Sequence, residues 1–492
     1  MATFGITVEE AATSLAVPIE SSSGVQVAVG TAPINLTANP AAFVNTPVLT
    51  NNFPESVTKL GYTDNFKDHT LCQVMDISYR VFSVRPVIFI NVLDPARHKE
   101  DVEAHEVPII IGKAAIEVGD AAVQGILLAT ITVKSQDGGT TYVADVDYIA
   151  AFDDYGAVII SAIASGSIPT SATALLVNYS KLDPSAVTEA DILGGYNAAT
   201  GAYRGIECIS RVYPLFNIVP NILLAPGWSH KPAVAMALLG KAEFLNGNLK
   251  CLAYIDIDSS TDGAPTYDTI KTWKDQNGYT DKWMYLLWPK AVIGEKVYYL
   301  SAVAAAVTAY SDTTNANIPA HSPSNNLLRI TGAINEAGEE VALDSVQATY
   351  VNECGVGTAI NIDGWRLWGN YTAAYPGSTD PKDFWLNFRR FFAWDANETV
   401  LTFSSKKDEP ISTRLVQTIV NTKNIRANGL VAAGNLAAYR TVFDLADNPL
   451  TNILGGTIRL RLIFAPYPPA QEIIFTQEFD PNALYAEFGG GA

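Results

Sequence analysis

Charged residues are scarce in this sequence: Asp, Glu, Lys and Arg together make 17% of 492 residues, against 48% hydrophobic. The positive sign is the scarcer. Thirty-two Lys and Arg face 50 Asp and Glu, so the net charge is −18, and no Lys/Arg-rich tract occurs. That balance argues against nucleic acid as a partner. Histidine (5) and cysteine (4) are few. Cys72, Cys208, Cys251 and Cys354 lie far apart with no CxxC spacing, which argues against a zinc site and favours reduced thiols in apolar surroundings. No window approaches the roughly 18 consecutive apolar residues of a membrane-spanning helix. The opening MATFGITVEEAATS has neither a basic stretch nor an apolar run of signal-peptide type, so a cytoplasmic site of synthesis and retention is expected. GxSxG, P-loop, HExxH and GxGxxG motifs are all missing, and no cofactor or nucleotide is expected.

What is present is an excess of apolar surface. A chain of this length is expected to form about three domains. With so little charge to cover it, a monomer would leave apolar surface bare, and large subunit interfaces are the economical solution. The stretch Val219–Asn325 organises the rest. Ile222–Leu224 is an apolar run stopped by Ala225-Pro226-Gly227, and Pro232 suits the first turn of a helix. Val234, Leu238, Ala242 and Leu245 follow at helical spacing, and Cys251–Ser260 is a second buried strand. Strand, helix, strand predicts a right-handed βαβ crossover and a parallel sheet. A helix over Thr266–Asn277, a strand in KWMYLLWPK and a helix in SAVAAAVTAY continue an α/β core covered on both faces.

In chain order, residues 1–23 predict an extended N-terminal arm. Gly24–Pro33 alternates, with Val25, Val27 and Val29 on one face, and opens a domain over 24–96 that resumes at 203–375. A helix in TLCQVMDISYRVFS and a strand in PVIFINVLDPA follow. Residues 97–202 carry alternating strands and turn dipeptides such as Asp137-Gly138, which predicts an inserted β-rich sandwich or barrel. Residues 331–380 read as irregular with short strands. A domain of mixed α and β type is expected over 376–468, with one helix over Asp380–Phe392 and another starting at Pro410, with Ile411, Leu415 and Ile419 on one face. Residues 469–492, beyond the bend at Pro466–Pro469, form a C-terminal arm. The class is therefore α/β (α+β multidomain).

Three constellations invite chemistry. Asp256, Asp258 and Asp262 sit at the carboxyl end of a core strand, but Thr261 stands where a calcium loop needs Gly and no Glu closes it, so solvated loop carboxylates are expected. His230 and His321 lie near Ser229, Ser322 and Ser324, from which a hydrolase triad could be assembled only without its usual motif. Arg389 and Arg390 are expected to be salt-bridged or partner-facing. The sequons at Asn35, Asn178, Asn370 and Asn397 carry little in a chain that is not secreted.

The order of pieces resembles the phage tail sheath family, the contractile sleeves of phage tails, R-type bacteriocins and related injection systems. The carriers are GITVEE with SGVQVAVGTAPINL, then GGYNAATGAYRGIECI with VPNILLAPGWSHKPAVAMALLGKAEFLNGNLKCLAYIDI, then WPKAVIG with IPAHSPSN. NFRRFFAWDANETVLTF, DEPISTRLVQTIVNTKNIRANGLVAAG and PYPPAQEIIFTQEFDPNAL complete a colinear set over nearly the whole chain. The resemblance implies a subtilisin-like α/β core without catalytic machinery, a β-rich insertion on the outer surface, and a C-terminal domain against a tail tube. It implies a virion tail or injection particle assembled in the bacterial host cytoplasm, as a homo-oligomer of helically stacked rings around a tail tube protein. Baseplate and tail terminator proteins would be the further partners. Terminal arms would add strands to neighbouring subunits at Phe4, Ile6 and Val8, and at Glu472, Ile474, Phe475 and Phe479. Arg414, Thr418 and Asn421, on the polar side of the Pro410 helix, are the expected tube-facing residues. Two rival readings stand beside this one: an α/β hydrolase and a static structural or adhesive surface protein.

Overall fold

The computed structural model describes residues 22–119, 121–153 and 156–487. Its centre is an eight-stranded sheet. We number its strands β1 (Gln26–Gly30), β2 (Pro47–Thr50), β3 (Val87–Asn91), β4 (Ile222–Leu224), β5 (Leu252–Asp256), β6 (Met284–Leu287), β7 (Val356–Asn361) and β8 (Trp365–Trp368). They run β2-β3-β1-β4-β5-β6-β7-β8. The inner neighbours are parallel, while β2 on β3 and β8 on β7 are antiparallel and close the two edges.

Every residue of β1, β3, β4, β5 and β6 is buried. The alternation over Gly24–Pro33 is thus not the mark of a half-exposed strand. Gln26 and Ala28, the residues between the valines, are as buried as the valines, because helices cover both faces of a parallel sheet. Helix α1 (Pro232–Glu243) makes the crossover from β4 to β5. Helix α2 (Leu300–Thr314) is buried along nearly its whole length, and its alanines let it lie close to the sheet. The predicted helix in TLCQVMDISYRVFS is present but changes pitch, α-helical over Thr70–Met75 and π-helical over Asp76–Val81.

Residues 331–380 are more ordered than their composition suggests. Helix Ser345–Glu353 starts at a capping box, with Asp344 accepting from the Val346 and Gln347 amides and Gln347 returning a bond to the Asp344 amide. It leads into β7, which lies between β6 and the outermost strand β8. Tight approach there needs glycine: a Cβ on Gly369 (φ 154°) would lie 2.4 Å from the Gly357 Cα.

Between β3 and β4 the chain builds a second apolar core from Val107, Ile116, Val133, Tyr148, Val158, Leu175 and Val177. It lies between a four-stranded sheet led by Lys99–Pro108 and Ala174–Leu182, and a three-stranded sheet of Lys113–Ala115, Tyr148–Phe152 and Val158–Ala162. Leu182, Val187 and Ile192 already pack into the main core.

A third core joins α3 (Leu386–Phe403), α4 (Thr413–Ala432), β9 (Leu436–Val442) and β10 (Arg461–Pro466). The single helix predicted for Asp380–Phe392 is broken at Trp385, whose extended backbone (ψ 122°) lets the Leu386 amide donate to the Asn370 carbonyl. The helix predicted from Pro410 starts at Thr413, because the Ser412 hydroxyl caps the Leu415 amide. Ile411 therefore lies outside it, and Leu415, Val416, Ala427 and Leu430 form the buried stripe.

Replacing Gly369 with Val should lower stability by about 3 kcal/mol, through side-chain crowding against β7 and an unfavourable backbone region. The denaturant midpoint checks this. An unchanged midpoint would mean that β7 and β8 do not approach as described.

Candidate assembly surfaces

The carboxyl ends of the parallel strands are where an α/β enzyme would keep its machinery. Here Asp256, the last residue of β5, is buried instead of being a solvated loop carboxylate. Its Oδ1 accepts from the Ser301 amide (2.9 Å) and its Oδ2 from the Ser301 and Ser229 hydroxyls (2.6 and 3.0 Å). The Asp256 amide donates to the Ser229 hydroxyl oxygen in turn (3.0 Å). These bonds place a carboxylate at the N-terminus of α2, which the helix dipole favours. Burial is the larger effect and raises the Asp256 pKa to about 6.

Ser229 is thereby committed to Asp256. His230 turns the other way and stacks on Tyr299 (6.5 Å between centroids, 3° between planes), and burial lowers its pKa. His321 is exposed, and Ser324 accepts from the Gly369 amide. Among the described residues no serine hydroxyl bonds to either histidine, so the residues that could have formed a triad are not assembled. Asp258 accepts from the Ser260 amide, and no group of three or more His, Cys, Asp or Glu is placed to hold a metal among the described residues. The four cysteines are unpaired and buried, and burial pushes the Cys72 thiol up to about 12. Among the sequons, Asn397 is wholly buried and bonds to both main-chain groups of Lys250.

Arg389 and Arg390 are both paired inside the molecule. Arg389 reaches Asp383 (3.1 Å) and lies 4.2 Å from the Trp283 ring centroid. Arg390 forks onto both oxygens of Asp312, at the end of α2, with both partners buried. Deeper in the same module Lys423 pairs with Asp395 (3.0 Å), which also accepts from Tyr439, while Arg426 pairs with Glu398 (2.9 Å). The third core is thus stitched by buried charge, a signal that sequence periodicity does not carry.

What α4 shows the outside is its polar side. Arg414 and Asn421 are exposed, whereas Thr418 is half-buried and its hydroxyl donates to the Arg414 carbonyl. Next to it, β9 and β10 form a two-stranded antiparallel sheet. The β9 main chain at Thr441 is met by the Asn424 side chain, and among the described residues no strand pairs with the outer edge of β10. Beyond β10 the chain runs from 467 to 480 without helix or ladder and then forms helix Pro481–Glu487, the last of the described residues. Ile474, Phe475 and Phe479 are 76%, 86% and 78% exposed, and Glu472 is exposed with them. Phe4, Ile6 and Val8 lie outside the described residues.

No protein-family model matches. The tail sheath protein of Burkholderia phage BcepMu is 30% identical over 478 residues, which span 94% of this chain and 93% of that one. The chain belongs to the tail sheath protein family. The major tail sheath protein of Serratia phage KSP20 is 26% identical over 66% of this chain and 81% of its own. Among solved structures, the sheath complex of the PVC extracellular contractile injection system in its contracted state matches with TM-score 0.57 at 12% identity, over 98% of this chain and 99% of that one. The contracted helical sheath of the anti-feeding prophage matches with TM-score 0.55 at 12% identity, over 97% and 99%. The described residues therefore form a mixed α/β, multidomain structure that matches those of sheath proteins.

The Asp256 network has a pH consequence. A carboxyl group raised from 3.8 to about 6 in the folded chain holds its proton there when the unfolded chain has lost it. Stability from this group is fully present below about pH 4 and is lost as pH rises through 6, a difference on the order of 3 kcal/mol. Asp256→Asn should flatten the stability–pH profile between pH 4 and 6 and leave the protein at least as stable at pH 7. A variant whose profile keeps the wild-type slope would assign that slope to other groups.

Proposed function

We propose that this chain is the structural subunit of a contractile tail sheath, which polymerises helically around a tail tube and contracts to drive the tube through a target cell envelope. The observation that carries this is the near end-to-end correspondence with a phage tail sheath protein. The β10 edge and the bare apolar side chains beyond it agree with it: both are surfaces of the kind that a second copy would cover.

In this reading the core is a subtilisin-like domain without catalytic function. Its division is 24–96 with 203–375 for the core, 97–202 for an outer insertion, 376–468 for the tube-proximal module, and 1–23 and 469–492 for the arms. Head-to-tail contacts whose rotation does not close produce helical assemblies. Arms that add strands to neighbours, through Phe4, Ile6 and Val8 at one end and Glu472, Ile474, Phe475 and Phe479 at the other, would keep main-chain bonds intact while bodies rotate. Each apolar side chain so buried is worth about 1.5–3 kcal/mol. The extended form would be kinetically trapped, released from a baseplate and needing no nucleotide. The exposed side of α4 around Arg414 and Asn421, with Thr418 supporting it, would face the tail tube protein. A tail terminator would close the far end, and assembly would occur in the host cytoplasm. A hydrolase is disfavoured by the commitment of Ser229 to Asp256, and a static surface protein by the sheath relationship.

Two outcomes follow. Full-length protein should form tubes visible by electron microscopy, while truncation after Pro469 should leave a folded, soluble body that forms none; normal contractile tubes from the truncated chain would remove the arms from the account. Arg414→Glu should weaken assembly on the tail tube at least tenfold in the protein concentration required, and unaltered assembly would move the tube contact elsewhere.

A further inference from the structure

The first described residues and the start of the C-terminal extension are held by one helix. Ser23 donates its hydroxyl to Asp312 Oδ2 (2.8 Å), and its carbonyl accepts from Arg390 Nη2 (3.3 Å). The Ser22 carbonyl accepts from the Asn221 amide group (2.6 Å), once that amide is oriented to satisfy its neighbours. Gly24 lies so close to α2 that a Cβ there would sit 2.9 Å from the Ala309 Cα. One turn before Arg390 on α3, Asn387 donates to the Tyr467 carbonyl (3.2 Å) and to the Ala320 carbonyl (3.0 Å). Gln471 is bonded to Tyr371 (2.7 Å) and to Asn370 (2.9 Å), and the Asn370 carbonyl takes the first amide of α3.

Asn387 and Arg390 are three residues apart, so they are neighbours on one helix face. We infer that the N-terminal part of α3, from Asn387 to Arg390, is a single anchoring node for the roots of both terminal extensions, with Asn387 and the Arg390–Asp312 pair as its positioning residues. Pull on one end passes to the other through one helical turn and the end of α2. The parallel sheet and the inserted β-rich module lie off that route. A body connected in this way turns as a rigid unit while its ends are drawn in different directions. The use of the node to carry lattice tension rests on the proposed exchange of arms; the node itself does not.

The pair is buried and forked, which makes it a firm fixture. A buried ion pair can be exchanged for apolar residues of similar size with little loss of fold, whereas removal of one partner leaves an uncompensated charge. Arg390→Met with Asp312→Leu is therefore the informative variant, and Asn387→Ala is its counterpart at the other root. All four native cysteines are buried, so a nitroxide attaches selectively at Ser22→Cys, at Ala470→Cys, or at the exposed Thr170→Cys of the inserted module as a control.

The experiment is electron paramagnetic resonance of the full-length chain, read as label mobility. We expect each of the two variants to shorten the correlation time at least threefold at both Ser22 and Ala470, with the Thr170 label unchanged. Arg390→Lys, which keeps charge but loses the fork, should give an intermediate shift at both. Loosening confined to the variant's own root, or no loosening, overturns the node. If the paired replacement mobilises all three labels, Arg390→Lys decides between the same two outcomes. Tube formation by the same variants is scored separately: coupled roots with normal contractile tubes would keep the node and remove the exchange of arms, while independent roots with lost tubes would do the reverse.

Discussion

Main-chain groups in the middle of β1 and β5 have no water to bond to, so each strand needs a ladder partner on both sides and a cover on both faces. That requirement sets the plan of the molecule. Parallel neighbours demand long crossovers, and α1 and α2 supply cover as they return the chain. The antiparallel strands β2 and β8 occupy the two outer positions of the sheet. The β-rich module and the C-terminal module grow from connections between or after these strands, each with its own core. Asp256 belongs to the same constraint: it ties the end of β5 to the start of α2, at the carboxyl end of the parallel strands, where α/β enzymes keep their reactive groups.

The C-terminal module solves a different problem. Its apolar core is small, with Phe391, Trp394, Ala427, Leu430, Leu436 and Tyr439 at its centre. Around that core Asp395, Glu398, Lys423 and Arg426 are drawn in and paired. Buried pairs contribute little net stability compared with apolar replacements, but they punish any shift in register because a displaced partner leaves a charge alone. A module that presents α4 on one side and the β10 edge on another gains from such fixed geometry.

Much of this was legible in the sequence. The strands at Ile222–Leu224 and Leu252–Asp256 and the helices at Pro232–Glu243 and Leu300–Thr314 follow from apolar runs, a proline at a helix start and the scarcity of polar residues between. Periodicity failed where the deciding partner is distant. Nothing local marks Val356–Asn361 as an internal strand of the main sheet; pairing with β6 and β8 makes it one. Trp385 breaks a helix because Asn370 offers the Leu386 amide another acceptor. The capping box at Asp344 and Gln347 was readable and would have placed the helix that leads to β7. For the surfaces of assembly, the proline bend at 466–469 marks where the ladder ends. No pattern in the sequence brings Asn387 and Arg390 together with residues 23 and 467, because those contacts close only in the folded body.

A sheath subunit of this build is a body that keeps its fold while its lattice changes. The most direct measurement is the length and diameter of individual assembled particles before and after triggered contraction, imaged at a resolution that places the subunit in both. The sheath should shorten and widen, with each subunit superposing on itself from β1 to β10 and its neighbours displaced. Particles of one fixed length, or a change of length that comes from refolding within the subunit, would contradict it.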